Sequence, residues 1–361
     1  MKSAKVSAAK SPVIIIGTLL FFSLTFFLQT TKAQESQEGP AVRDGGGTSL
    51  YLPIVARDLP RITLQPIAGA NAANQWTLNW SVDNPDDVTG YRIEESKYAD
   101  FNTLSNVYNT TDMTLTVTGT PSWQSVHYYR ISATGAWGNG PYSNVASVAG
   151  SYRDDFNDPS SGWAMRRQDT DDIDNQVYYR NGLLVLEMDS SWDYQLASPM
   201  VLAPSGNYSL IMRTHPKGVD NLHAYGMVFG GDWNGGNCPA ADYSTCFNHY
   251  YRLLVVWNGS ANQMLMQLKR IETHSPVNNS GSGTALVDWR FVTVNSSSAD
   301  FQTWQVDVNR NGTINLYVNG NHIATVSDTA YINDPYWGVF SATDEYNGLE
   351  AETDWFEVIP R

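Results

Sequence analysis

Three carboxylates stand close together in ETDWFE: Glu352, Asp354 and Glu357. Two carboxyl groups about 5 Å apart can act as nucleophile and acid in retaining cleavage of a glycosidic bond. Simple strand alternation, however, turns Glu357 to the face opposite Asp354. A second cluster lies in GDWNGGNCPAADYSTCFNHYY, which holds the two cysteines of the chain, Cys238 and Cys246. Around them stand Trp233, Tyr243, Asp232, Asn234 and Asn237, aromatic rings beside polar donors and acceptors. That combination suits a sugar, whose C–H faces stack on a ring while its hydroxyls take hydrogen bonds. The same letters also fit a stapled loop with the Trp folded onto its own base.

Metal chemistry has two candidates. RRQDTDDIDNQ carries Asp169, Asp171, Asp172 and Asp174, but lacks the Gly and Glu that an EF-hand-type loop places at its sixth and twelfth positions. It reads as a solvated acidic turn. Asp155 and Asp354 could share a structural calcium ion if the strands that carry them lie side by side; no other cofactor is expected. His215 and His223 are eight positions apart across THPKGVDNLH and read as structural. Trp192 in DSSWDYQ and Trp289 in VDWRF stand beside carboxylates and read as packing residues. No G-x-S-x-G elbow, H-E-x-x-H, P-loop or dinucleotide fingerprint occurs.

The setting of these residues follows from the first segment. Residues 1–33 carry four lysines and no acid around an apolar stretch from Val13 to Leu28, followed by Thr31-Lys32-Ala33. The stretch is shorter than the roughly 20 residues a spanning helix needs, so it reads as a signal peptide cleaved after Ala33, with an uncleaved anchor as the alternative. Either way the remainder is expected outside the cytoplasm, secreted or at the cell surface. In an oxidising compartment Cys238 and Cys246 are expected to form a disulfide, since a zinc site needs four ligands and only His249 lies near. The formal charge of −14 argues against a nucleic-acid partner. A membrane is expected as partner only through the N-terminal segment.

Past a Gly-rich linker at 34–60, the chain shows short alternating runs broken by Gly, Asn, Pro and Asp, the pattern of an all-β protein. In residues 61–149, Trp76, Leu78 and Trp80 alternate, as do Tyr91 and Ile93, Met113, Leu115 and Val117, and Tyr129, Ile131 and Ala133. Such a block predicts a two-sheet sandwich. The Trp of LNWSV, the strands GYRIEES and HYYRISA and the closing GNGPYSNVASV resemble a fibronectin type III domain. The corner tyrosine of that family falls on His127, with Tyr128 beside it. No RGD triplet occurs, so the resemblance implies a spacer rather than an integrin ligand.

Residues 150–361 add further strands, among them a hairpin in which Trp304, Val306 and Val308 turn through Asn311-Gly312 into Ile314, Leu316 and Val318, with a second turn at Asn319-Gly320. About ten strands in this block predict a large antiparallel sandwich. DDFNDPSSGW, LYVNGNHIATV and TDWFEVIP resemble concanavalin A-like and laminin G-like jelly rolls of exported bacterial proteins. ETDWFE also resembles the catalytic strand of a retaining glucanase family on that fold, although position 353 is Thr where that family prefers an aliphatic residue. The expectation is an exported, non-catalytic protein whose jelly roll binds an extracellular polysaccharide through the cysteine-held loop. A jelly-roll glycosidase using Glu352, Asp354 and Glu357 and a structural or adhesive surface protein are the alternatives.

Overall fold

The computed structural model describes residues 58–168, 175–191, 193–217, 224–233, 247–257, 262–273, 282–294, 297, 300–343 and 348–361. Alternation decides which side chains of the first block go inside. Trp76, Leu78 and Trp80 of β2 (Gln75–Val82) face Tyr91 and Ile93 of β3 (Val88–Ser96) and Tyr129, Ile131 and Ala133 of β6 (Val126–Gly135), and all are buried. β1 (Ile62–Leu64), β2 and β5 (Thr114–Thr118) form one sheet; β4 (Asn106–Thr110), β3, β6 and β7 (Gly138–Tyr142) form the other, with β8 (Ala146–Ala149) also on β6. Of the run 113–117 only Val117 is buried, because β5 is an edge strand and Met113 lies just outside it, 51% exposed. Inside this core the Trp76 indole N–H donates to the Tyr129 hydroxyl (3.1 Å), and Trp80 meets Tyr91 edge to face.

His127, where the sequence resemblance expects a corner tyrosine, packs 4.9 Å from the Trp76 ring, and its Nδ1 bonds Glu95 at 2.7 Å. The same carboxylate accepts the Tyr108 hydroxyl (2.7 Å) and the Asn106 amide (2.8 Å). Burial alone would raise the Glu95 carboxyl, but the hydrogen bonds from His127, Tyr108 and Asn106 outweigh it and hold it down to about 2.

The second block builds β9 (Tyr152–Asp154), β10 (Ala164–Gln168), β11 (Gln176–Arg180), β12 (Leu183–Met188), β13 (Tyr194–Ser198), β14 (Tyr208–Lys217), β15 (Ala224–Gly231) and β16 (Tyr250–Trp257). It continues with β17 (Gln263–Thr273), β18 (Ser282–Thr293), β19 (Gln302–Val308), β20 (Thr313–Val318), β21 (Asn321–Ser327), β22 (Tyr336–Ala342) and β23 (Leu349–Pro360). These are more strands than the sequence rhythm suggested. Two antiparallel sheets result: seven strands in the order β10-β13-β22-β15-β16-β17-β18, and eight in which β11-β12-β23-β14-β19-β20-β21 run in order and β9 joins β23. The fold class expected from the sequence, all-β with a small sandwich followed by a larger antiparallel jelly roll, is the one observed, and no helix occurs among the described residues.

Between the two sheets lies an aromatic centre. Trp337 of β22 stacks on Phe356 of β23 (4.9 Å, 7°) and meets Tyr152 and Trp163 edge-on, while the Trp163 indole donates to the Tyr152 hydroxyl (2.7 Å). The expected hairpin is present: Trp304 pairs with Val318 and Val308 with Ile314, and Trp304, Val306, Val308, Ile314, Leu316 and Val318 are all buried. Both residues of the Asn319-Gly320 turn adopt positive φ (49° and 79°), as a two-residue hairpin turn between twisted strands requires.

The seven-stranded sheet is apolar on both faces. Its inner side gives Tyr225, Met227, Leu253, Val255 and Met266 to the inter-sheet core. Its outer side carries a separate buried layer that includes Tyr194, Tyr250, Leu254, Val256, Phe340 and Phe247. Residues 59–361 form one compact unit. Near Gly150 the small and large sandwiches are tied together: Ser122 O accepts from Arg153 N (3.2 Å), Ser125 Oγ donates to Leu202 O (3.3 Å), and Trp123 packs against the large core.

Candidate functional site

The carboxylates of β23 lie on the outer face of the eight-stranded sheet. Leu349 and Ala351 point into the core, and so do Phe356 and Val358, which means the alternation shifts by one residue between them. The register shows why: Thr214 pairs with Thr353 but Arg213 pairs with Trp355, so Asp354 is an extra residue, a β-bulge. The bulge corrects the expectation from simple alternation. Glu352 and Glu357 share the outer face because one inserted residue restores the phase.

Their surroundings differ. Glu352 is buried and receives Arg180 (2.6 Å) and Lys217 (3.1 Å) on Oε1 and His215 (2.7 Å) on Oε2. Burial pushes its carboxyl up, but hydrogen bonds from Lys217, His215 and Arg180 outweigh that and hold it below the usual range. Glu357 is raised, chiefly by burial, with Arg153 opposing and the charge of Asp155 adding to the rise. Asp354 is paired with Arg213, and Asp155 with Arg153 at 2.7 Å.

β9 does pair with β23, Asp154 opposite Phe356, so Asp155, which directly follows β9, lies next to the strand that carries Asp354. Each of the two carboxylates is engaged by an arginine, and among the described residues no group of three or more His, Cys, Asp or Glu stands together to hold a metal ion. Glu352→Gln is expected to lower stability by about 2 kcal/mol, because the Arg180 and Lys217 cations and the His215 ring lose their charged acceptor. Thermal melting of the purified variant measures this.

The cysteine loop is described only at its two ends. Tyr243, Asn234, Asn237, Cys238 and Cys246 lie outside the described residues, as do Trp192, His223 and the acidic run from Asp169 to Asp174. Asp232 accepts the backbone N–H groups of Asn248 (2.7 Å) and His249 (2.9 Å), so its carboxylate ties the end of β15 to the start of β16. His249 Nε2 bonds Asp334 (2.8 Å), and the ring stacks on Tyr331 at 4.0 Å. Trp233 is partly exposed; it rests against Phe247 (5.7 Å), and the Arg166 guanidinium lies 5.9 Å from its ring centre. Phe247 in turn meets Tyr336 edge-on. Trp233 thereby caps one end of the outer apolar layer.

That layer continues across the sheet. Tyr194 stacks on Phe340 (5.3 Å), and Tyr250, Leu254 and Val256 of β16 stand opposite Ile271, Gln267 and Leu265 of β17. At the far edge, Phe291 of β18 pairs with Leu265 and is 59% exposed; Trp289, expected to be a packing residue, is 44% exposed. In the midst of the layer lies Arg252, buried, with Lys269 directly opposite on β17. Sequence reasoning passed over Arg252, though a signal was present: it is the single charge in the strand YYRLLVVW, a run apolar enough to be buried on both faces.

No protein-family description matches the chain, and no curated protein matches it. Solved structures similar to it include the legume lectin-like domain from Entamoeba histolytica (8% identity, 56% of this chain and 93% of that one, TM-score 0.39). Others are the kappa-carrageenase from Pseudoalteromonas carrageenovora in complex with an oligotetrasaccharide of kappa-carrageenan (12%, 57% and 92%, TM-score 0.37) and a Bacillus subtilis protein of unknown function with a galectin-like fold (12%, 58% and 96%, TM-score 0.37).

Proposed function

We propose that this is an exported, non-catalytic glycan-binding protein, acting outside the cytoplasm, in which the large sandwich is the binding module and the small one a spacer of the fibronectin type III kind. The observation that carries the reading is Trp233: a partly exposed indole propped by Phe247 and flanked by the Arg166 guanidinium, at the rim of an aromatic sheet face. Such a ring offers a sugar a stacking surface, and the rigid strands on either side fix its orientation. Asp232 positions the loop rather than facing a ligand, since its oxygens are taken by Asn248 and His249.

Affinity electrophoresis against plant and bacterial polysaccharides tests this. Trp233→Ala is expected to weaken binding about tenfold, the scale of one lost aromatic contact, with unchanged melting temperature. A variant that binds as well as wild type removes the basis for the reading.

A hydrolase reading draws on one observation: the bulge sets Glu352 and Glu357 on the same face, one carboxyl lowered and the other raised, the split that retaining cleavage uses. Against it stand Arg180, Lys217 and His215, which together occupy both Glu352 oxygens that a nucleophile needs free. Release of reducing ends from a β-glucan, abolished by Glu352→Gln, would reverse the preference.

A further inference from the structure

We infer that Arg252 and Lys269 form a cation site on the outer face of the seven-stranded sheet that receives the anionic substituent, carboxylate or sulfate ester, of an acidic glycan. The inference rests on the glycan-binding role proposed above and names its ligand class.

The starting point is a register fact. Arg252 and Lys269 are direct cross-strand partners on β16 and β17, and two like charges in that relation repel. Arg252 is also buried, at 5% exposure, among apolar and aromatic neighbours. Its guanidinium lies 4.9 Å from the centre of the Phe340 ring, two strands away across β15. Gly226 of β15 stands opposite both Leu254 and Phe340, so the strand between guanidinium and ring carries no side chain there; a Cβ at Gly226 would collide with the Leu253 carbonyl.

A guanidinium taken out of water needs a counter-charge or a full set of acceptors. Arg252 has neither among the described residues: no carboxylate pairs with it, and its buried Nε has no hydrogen-bond partner. One aromatic ring offsets only part of that deficit. Burial disfavours the charged form of Arg252, and it does so for Lys269 as well, to which the neighbouring charge of Arg252 adds. Arg166, beside Trp233, is likewise disfavoured by burial. For Arg252, whose Nε has no partner, that cost is relieved by one negative group arriving from outside.

Composition does not explain the arrangement. The chain has 22 Lys and Arg against 36 Asp and Glu, so two cations facing each other in an apolar layer run against its overall charge. A guanidinium matches the two oxygens of a carboxylate or sulfate in a bidentate fork, and an ammonium beside it adds a point charge. Trp233 and Tyr336, the partly exposed aromatic side chains of the same layer, suit the sugar ring that bears the anion.

The test is titration calorimetry of the full exported chain with alginate and polygalacturonate as carboxylate polymers, dextran sulfate as the sulfate polymer, and dextran as the neutral control. Wild type is expected to prefer an acidic polymer over dextran, with affinity falling as salt rises, and the stronger acidic arm tells carboxylate from sulfate. Arg252→Met is expected to lower acidic-polymer affinity at least tenfold while the melting temperature stays equal or rises, since an unpaired buried charge is removed. Lys269→Gln, which keeps Arg252, is expected to lower it several-fold. Acidic binding retained in both variants, or wild-type binding to dextran alone, overturns the inference and leaves the glycan-binding role standing. Absence of binding to any polymer removes both.

Discussion

Trp337→Ala is expected to destabilise the large sandwich by about 3–5 kcal/mol, the range for deleting a buried aromatic side chain. Trp337 is fully buried and bridges the sheets: it comes from β22 of the seven-stranded sheet, and its stacking partner Phe356 and edge-on partner Tyr152 come from β23 and β9 of the eight-stranded one. Truncation would leave a hole between layers that rigid strands cannot close by moving together. Its indole N–H is buried without a hydrogen-bond partner, so Trp337→Phe removes an unsatisfied donor while keeping most of the ring contact, and should cost about 1 kcal/mol. Urea unfolding followed by circular dichroism separates the two variants; an alanine variant within 1 kcal/mol of wild type would show that the stack does not hold the layers together.

Glu95→Gln is expected to destabilise the small sandwich by about 3 kcal/mol at pH 7, from a carboxyl lowered from 4.5 to about 2. Because the folded carboxyl is the more acidic one, its contribution is fully present above pH 4.5 and is lost as pH falls towards about 2. Glu95→Gln should therefore differ most from wild type at neutral pH, and the two curves should converge near pH 2. Other carboxyls lowered in the fold, Asp328 and Glu352 among them, titrate in both proteins, so the difference between the curves isolates Glu95. Curves that stay parallel down to pH 2.5 would mean that His127, Tyr108 and Asn106 do not hold the ionised form.

The strands were legible wherever one face of a run is polar. Trp304, Val306 and Val308 alternate cleanly with Gln305 and Asp307, and both the hairpin and its register follow. Legibility fails in two circumstances. In β16 both faces are apolar, so periodicity cannot say which residues look inward, and Arg252 passes for an interruption instead of a feature of the outer layer. In β23 a single inserted residue reverses the phase, and no pattern of letters announces it; ETDWFE reads as a strand with scattered carboxylates until the pairing with β14 shows the bulge. The Glu95 and His127 contact joins positions 32 residues apart on β3 and β6, and only sheet pairing brings them together. For the residues proposed to stack on a sugar, composition pointed to the loop, and the fold adds the aromatic sheet face on which Trp233 rests.

β23 has one more implication. It lies between β12 and β14 in the middle of its sheet and also carries β9, the strand that opens the large sandwich. Residues Leu349–Pro360 are thus made after every neighbour they must join, and the sheet stays split in two until they emerge from the ribosome. Closure of this sandwich therefore waits on long-range pairing, in which a single late strand must find β12 on one side and β14 on the other before the two halves become one sheet.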